Sequence, residues 1–419
     1  MHRKTMIPVH EAIQRIIEQI PKLGKERVGI LQAQGRVLGE DIFSSRNIPP
    51  WDNSAMDGYA LRYPDIQKVS ADNPVFLKVL SDLPAGRVFE GVVGPGQAVR
   101  IMTGAPLPEG TDTVVPVEET AKMEGRVKIL SSLPLGSNIR RAGEDVQAGE
   151  KVLAEGMILR APHMGMLASL RRSGIYVFQR PRVAILSTGD ELLEIDEPWQ
   201  EGKIINSNSY SMAGQVIECG GVPILLGIAR DRLEELSAKM QEGLVADILI
   251  TTGGVSVGDY DFVKGLLKEM GQMSFWKVAM RPGQPLAFGK IAGKPLFGLP
   301  GNPVSCMVSF EQFVRPALLK MAGFHHLFRP SLTAVLKEDI SKKAGLTSFV
   351  RCRFFYERGV LYSSTTGEQG SGILSSMVKA HGFIVLPAEK TLLRAGEEVR
   401  GMLLDPYLFY TSKPTYLPE

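Results

Sequence analysis

The apolar positions Ala12, Ile13, Ile16, Ile17 and Ile20 recur at helical spacing, which predicts an amphipathic helix closed by Pro21 and Gly24. A second short apolar pattern, Val28 to Ile42, carries the chain to the break at Pro49–Pro50. From Trp51 to Asp145 the text changes to short β-type runs (Val75–Val79, Ala98–Met102, Thr113–Val117, Val127–Leu130) separated by turns such as GPGQ and LPEG. Residues 146–160 are turn-rich, and Met164–Leu170 predicts a helix that rejoins the first one.

The third region alternates strand and helix. RVAILSTGDEL is an apolar strand entering a polar turn, followed by a helix at Ser207–Glu218, a strand at Pro223–Ala229 and a helix near Arg232–Glu242. A strand at Asp247–Thr252, a glycine loop and a helix from about Tyr260 to Met270 complete it. That alternation predicts a parallel α/β sheet, whose functional groups gather in loops beyond the carboxyl ends of the strands. After Arg329 short strands and turns return, which predicts a small C-terminal β-barrel-like domain. The fold expected is therefore α/β plus β-rich domains: residues 1–47 with 146–179 as a helical and linker domain, 48–145 as an inserted β-rich domain, 180–329 as the central parallel-sheet domain, and 330–419 as the C-terminal domain. No internal repeat is evident.

Composition narrows the function classes. Forty-eight basic residues against 45 acidic leave a net charge of +3, without the basic bias expected of a nucleic-acid binder. The most apolar stretches suit buried strands and fall short of a membrane span, and Pro8 with His10 interrupt the opening MHRKTMIPVH where a signal peptide needs its apolar segment. A cytoplasmic protein is expected. Cys219, Cys306 and Cys352 are widely spaced, which argues against a disulfide framework or thiolate zinc site, and the six histidines form no ligand pattern.

Four segments carry candidate chemistry. In TTGGVSVGDYD, Gly253, Gly254 and Gly258 with Ser256 could turn backbone N–H groups toward a phosphate, or simply form a tight turn. Asp259 and Asp261 favour the phosphate reading, because carboxylates beside a phosphate are best tolerated with a divalent cation between them. In STGDEL, Thr188, Asp190 and Glu191 reach the same sheet edge as Asp231; several carboxylates there make Mg²⁺ the better reading than helix capping. FWKVAMRPG places Lys277 and Arg281 four apart near tight turns, and Pro300, Asn302 and Pro303 in GLPGNP make a rigid loop before a helix; oxyanion binding competes here with solvated charges and plain helix initiation. PPWDNSAMDGYA crowds polar residues between apolar runs, with Asp57–Gly58 readable as a turn pair or as chemistry.

Together PPWDNSAMDGYA, MTGAPLPEGTDTVVPVEE, RRAGED, STGDEL, TTGGVSVGDYD, FWKVAMRPG and GLPGNPVS, in this order, resemble the molybdopterin molybdenumtransferases, the family of bacterial MoeA and the E domain of gephyrin. The resemblance spans essentially the whole chain. It implies an elongated multidomain homodimer whose α/β domain binds molybdopterin, Mg²⁺ as cofactor, and insertion of molybdate into molybdopterin-adenylate with release of AMP. It implies roles for Asp57, Thr103, Arg140, Asp145, Glu191, Asp231, Asp261, Lys277 and Arg281, and places Arg351 (FVRCRF) and Ser371 (EQGSG) at an anion site. It further implies Asp190, Glu191, Asp231 and Asp261, with Asp259 as an alternative, around the metal. Arg281 stands where some members carry Lys, exchanging a point charge for a planar fork. Two alternatives remain: a molybdopterin adenylyltransferase, which is otherwise a partner the resemblance suggests, and a gephyrin-like scaffold. Molybdate and tungstate are not distinguished by sequence.

Overall fold

The computed structural model describes residues 6–253 and 271–414, so Gly254, Ser256, Gly258, Asp259, Asp261 and the helix expected over Tyr260–Met270 lie outside the described residues. The chain divides into two compact units: residues 27–34 with 38–176, and residues 1–26, 35–37 and 177–419.

The first helix, α1 (Val9–Gln19), ends because Ile20 adopts an extended conformation before Pro21, as the pyrrolidine ring demands of the residue before it. Ala12, Ile16 and Ile20 bury their side chains in the larger unit, in one cluster with Val183, Ile185, Phe313 and Leu318 of that unit. Full burial of one such isoleucine contributes roughly 1.5–3 kcal/mol, so an acidic residue at position 16 would detach the helix.

In the smaller unit, β1 (Asn53–Ser54), β2 (Gly58–Leu61), β3 (Val75–Leu83), β4 (Gln97–Ile101), β5 (Thr113–Pro116), β6 (Thr120–Met123), β7 (Arg126–Ile129) and β8 (Ile139–Arg140) precede α2 (Ala161–Ser169). A six-stranded sheet runs in the order β5-β2-β4-β3-β7-β6, and β1 pairs separately with β8. Gly58 is not a turn glycine: it opens β2, and a β-carbon there would lie 2.1 Å from the carbonyl oxygen of Val115. Close strand approach, not a positive φ, excludes a side chain.

The larger unit is built on β9 (Arg182–Thr188), α3 (Ser207–Glu218), β10 (Val222–Ala229), α4 (Leu233–Gly243), β11 (Ile248–Thr252), β12 (Gly271–Lys277), β13 (Met280–Arg281), β14 (Pro285–Ile291) and β15 (Lys294–Leu299). Helix α5 (Pro303–Ser309) continues through a π-helical turn at Phe310–Val314 into α6 (Arg315–Met321). The central sheet has the order β10-β9-β11-β15-β14-β12. Its first four strands are parallel, as the alternation of strands and helices predicts. β14 and β12 then extend it antiparallel, on either side of the cationic VAMRPG stretch. The strands are apolar without alternation because both faces are covered: Val183, Ile185, Ile248 and Ile250 face the α3 side, while Ala184, Leu186 and Leu249 pack with Leu236 and Met240 of α4.

C-terminally, β16 (Ser331–Leu336), β17 (Thr347–Glu357), β18 (Val360–Thr365), α7 (Leu374–Val378), β19 (Gly382–Leu386) and β20 (Glu398–Leu403) follow. The order β17-β18-β16-β20-β19 returns to β17, closing a five-stranded barrel, with β13 added in parallel to β17. Val350, Cys352, Phe354 and Ile384 fill it.

One short loop device occurs twice. RAGE occurs at 141–144 and at 394–397, and in each copy the glutamate accepts the arginine's own N–H while an aspartate, Asp52 or Asp339, accepts the alanine N–H at 2.8 Å and binds the guanidinium. These N–H donors, followed by the arginine, hold both aspartates below the usual carboxylate range. A four-residue device is too short to register as periodicity. Among the described residues no helix is long and apolar enough to cross a membrane.

Candidate functional site

In the central sheet β9 lies between β10 and β11, so the chain crosses from one side of β9 to the other and opens a crevice at the carboxyl edge between β9 and β11. A cavity of about 380 Å³ occupies that position. Its floor comes from the strand ends Ser187, Thr188 and Thr252, its walls from Glu191 and Leu192, from Asn206, Ser207 and Asn208 at the start of α3, and from Pro300, Gly301, Asn302 and Pro303 before α5.

Buried hydrogen bonds explain why these residues sit there. The Ser187 hydroxyl donates to Asn206 Oδ1 at 2.7 Å, and that same oxygen caps α3 by accepting the Ser209 N–H at 3.3 Å. The positive end of α3 is thereby held against the end of β9, facing the cavity. Gly253 leaves β11 with φ +88°, and a β-carbon there would lie 2.4 Å from the Thr188 carbonyl oxygen; glycine is the residue that fits.

The acidic rim is held by cations on its backbone. Arg230 Nη1 donates to the carbonyls of Gly189, Asp190 and Leu192 at 3.4, 3.2 and 2.7 Å, and Lys203 Nζ donates to Asp190 O. Asp190 Oδ1 accepts the Asp231 N–H at 3.2 Å, so the turns after β9 and β10 are bonded directly. Of the acidic candidates among the described residues, only Glu191 lines the cavity. Among the described residues no three His, Cys, Asp or Glu side chains converge as a metal site.

Two further hollows adjoin. One of about 400 Å³ shares Pro285 and Ser305 with the first and contains Arg281 and Ser371. The next, about 560 Å³, shares Arg281, Pro282, Gln369 and Gly370 with it and contains Arg351. The Val304 N–H donates to Ser371 O at 3.0 Å, tying the start of α5 to the barrel. Arg351 is only 1% exposed, and its guanidinium donates to Ser376 Oγ and Gly370 O, each at 3.0 Å, with no carboxylate partner among the described residues. Burial pushes it down to about 10, still charged at neutral pH. Lys277 is exposed on β12 and lines none of these hollows.

The smaller unit gathers its own candidates. Arg140 pairs with Asn53 across β8 and β1, and Ser54 exchanges backbone hydrogen bonds with Gly104 and Ala105 next to Thr103. Asp57 Oδ1 accepts both the N–H and the hydroxyl of Thr103 at 2.7 Å, which holds its carboxyl below the usual range. Asp145 is exposed, its N–H bonded to Ile48 O.

Asn206, Ser207, Asn208, Thr252, Gly301, Ser305 and Gln369 complete these walls although sequence reasoning passed over them as sites. The signal for three of them was legible: NSN opens a helix, and a helix following a parallel strand begins at the functional edge.

The chain matches three consecutive family descriptions: "MoeA N-terminal region (domain I and II)" over residues 7–170, "Probable molybdopterin binding domain" over 184–320, and "MoeA C-terminal region (domain IV)" over 333–404. The molybdopterin molybdenumtransferase of Haemophilus influenzae is 39% identical over 400 residues, 94% of this chain and 98% of that protein. Its counterpart in Bacillus subtilis is 37% identical over 96% of this chain and 95% of its own. The crystal structure of the molybdopterin biosynthesis MoeA protein from Pyrococcus horikoshii superposes with a TM-score of 0.81 at 33% identity, over 96% of this chain and all of that one. Motif order, the crevice between β9 and β11, the closed barrel and full-length likeness agree, and the chain belongs to the MoeA family of molybdopterin molybdenumtransferases.

Proposed function

We propose that the chain inserts molybdate into adenylylated molybdopterin and releases AMP. The observation that carries this reading is a buried cation, Arg351, that has no carboxylate bonded to it among the described residues and stands in a hollow that adjoins the crevice cavity through shared walls. A protein surrenders the hydration of a guanidinium without supplying a counter-charge chiefly where an anionic ligand supplies it.

The crevice takes the pterin-adenylate. Thr188, Ser207 and Gly253 line it together with the positive start of α3, which suits phosphate oxygens, and Gly254, Ser256 and Gly258 of the same sequence motif are assigned to phosphate binding with them. Pro300, Asn302 and Pro303 form the opposite wall. Molybdate, a hard oxyanion, is received by Arg351, Arg281 and the Ser371 hydroxyl, with Lys277 as an approaching charge. Two molybdenum–sulfur bonds form as the dithiolene displaces an oxide as water, and hydrolysis of the anhydride consumes one water and frees AMP. The residues act by orientation and charge stabilisation. Asp57, Thr103, Arg140 and Asp145 belong to the same proposal as functional residues of the smaller unit.

Magnesium belongs to it as well. Glu191 brings one carboxylate to the cavity, and Asp190 and Asp231 stand at the same rim, hard oxygen donors of the kind Mg²⁺ takes, with Asp259 and Asp261 as the remaining candidates. No step is assigned to the ion. A homodimeric, cytoplasmic enzyme that receives its substrate from a molybdopterin adenylyltransferase completes the reading.

The test is anaerobic incubation of the purified protein with molybdopterin-adenylate, Mg²⁺ and either molybdate or tungstate, following AMP and bound metal. Oxyanion-dependent AMP release is expected. Consumption of molybdopterin with ATP instead would overturn the assignment.

A further inference from the structure

We propose that Asn208 is a positioning residue for the adenylylated pterin, acting through the Pro300–Pro303 loop; this rests on the functional reading above. Asn208 lies in the first turn of α3, in the cavity wall. Its amide nitrogen spends both hydrogens on the protein, donating to Thr252 Oγ1 at 2.9 Å and to Gly301 O at 2.7 Å. The Thr252 hydroxyl, having accepted one bond, passes its own hydrogen to Pro300 O at 3.2 Å. One side chain therefore holds two consecutive carbonyls of GLPGNP, the second by relay.

The consequence is electrostatic. Drawn onto Asn208 and Thr252, the carbonyl oxygens of Pro300 and Gly301 are neutralised by donors instead of facing a ligand that carries phosphate oxygens. The same bonds set the distance between this loop and residue 253, where the glycine loop departs: a β-carbon on Gly301 would lie 3.6 Å from Gly253 Cα. The amide orientation is fixed, because a carbonyl can only accept. Asn208 Oδ1 is thus turned away from both partners, is buried, and has no hydrogen-bond partner among the described residues. That oxygen is left as an acceptor at the cavity wall.

The experiment measures KM for molybdopterin-adenylate and for molybdate, kcat and the melting midpoint in Asn208→Ala, Asn208→Asp, Thr252→Val and Thr252→Ser. Asn208→Asp replaces the donor with an oxygen facing Gly301 O and is the most damaging. For the first three variants KM for the pterin-adenylate rises about tenfold or more while kcat and KM for molybdate stay within about threefold, the pattern of lost ground-state binding. Thr252→Ser, which keeps the relay, recovers most of the loss seen in Thr252→Val. An unchanged pterin-adenylate KM in both Asn208 variants overturns the proposal, and so does a parallel rise of both KM values with a fallen melting midpoint. Direct titration of molybdopterin-adenylate separates this from the parent reading: a wild type that binds it without releasing AMP refutes the activity, while the variants' affinities still decide the role of Asn208.

Discussion

The carboxylate of Glu191 is folded back over Gly189, so closely that a β-carbon on residue 189 would meet Oε2 at 2.3 Å and Oε1 at 2.6 Å. Gly189 also holds φ +146°, a conformation that side chains resist. A methyl group at 189 therefore displaces Glu191 from the cavity rim and strains the turn. Gly189→Ala is expected to lose about 1–3 kcal/mol of stability. AMP release is expected to fall on the order of a hundredfold, the usual result of moving a charged group by about 1 Å. Denaturant titration and AMP assays of the same preparation check both figures; full activity would show that the position of Glu191 is immaterial.

Asp57 and Thr103 make a pH-dependent pair. The Thr103 N–H, then its hydroxyl, lower the folded pKa of Asp57 below the unfolded value. Such a group contributes stability above the unfolded carboxylate range, near pH 4, and loses it as pH falls through the folded value. Thr103→Val removes the hydroxyl bond and keeps the N–H. Its unfolding midpoint should lie below that of the wild type by a constant margin from pH 5 to 8, with the two curves converging below about pH 4. A margin independent of pH down to 2 would mean that the threonine acts by packing instead.

Much of the larger unit was legible because its elements follow from local pattern. Apolar strand runs and the NSN start of α3 have short-range causes, and the observed α3 spans Ser207–Glu218 as read. What escaped were features made by distant partners. The turn signals around β12, β14 and β15 (Pro282, Gly283, Gly293) mark where the chain bends but not which strands pair, and the antiparallel pairing brings Trp276, Phe288 and Phe297 together. Site membership divides the same way. Glu191 and Thr188 were recognised because a polar turn ends a buried strand; Thr252 and Gly301 become site residues only through hydrogen bonds to Asn208, 44 and 93 positions away. Arg351 is placed at an anion site by resemblance alone, and its burial, with no carboxylate partner among the described residues, is visible only once the barrel closes.

Glu311 carries a different kind of prediction. It sits in the π-helical turn with its side chain 3% exposed, 3.1 Å from Arg329 Nε and 3.9 Å from Arg315 Nε, and accepts Gln215 Nε2 at 3.0 Å. Removing the carboxylate leaves Arg315 and Arg329 with the more exposed Glu218, 3.5 Å from Arg329, as their remaining counter-charge. Glu311→Ala is expected to cost about 3–5 kcal/mol, the range for breaking a buried pair by deleting one partner. Glu311→Gln, which still accepts from Gln215, costs less. Urea midpoints of the two variants test the order.

Arg351 permits the sharpest separation of stability from function. Among the described residues its guanidinium is bonded to Ser376 Oγ and Gly370 O and to no carboxylate, so it bears a desolvation cost that no ion pair there offsets. Arg351→Met keeps most of the volume and removes that cost. It also forfeits two hydrogen bonds, worth about 1 kcal/mol each, and the two effects should leave the melting midpoint near that of the wild type. Ligand response should differ completely. A hundredfold excess of molybdate over its Kd stabilises a binding protein by about 2.7 kcal/mol, and that protection should vanish in the variant. KM for molybdate should rise by about tenfold or more, with KM for the pterin-adenylate little changed, as expected when one subsite is emptied. Thermal melts with molybdate, and with sulfate as a control anion, decide the matter: a variant that molybdate still protects would move the oxyanion away from Arg351.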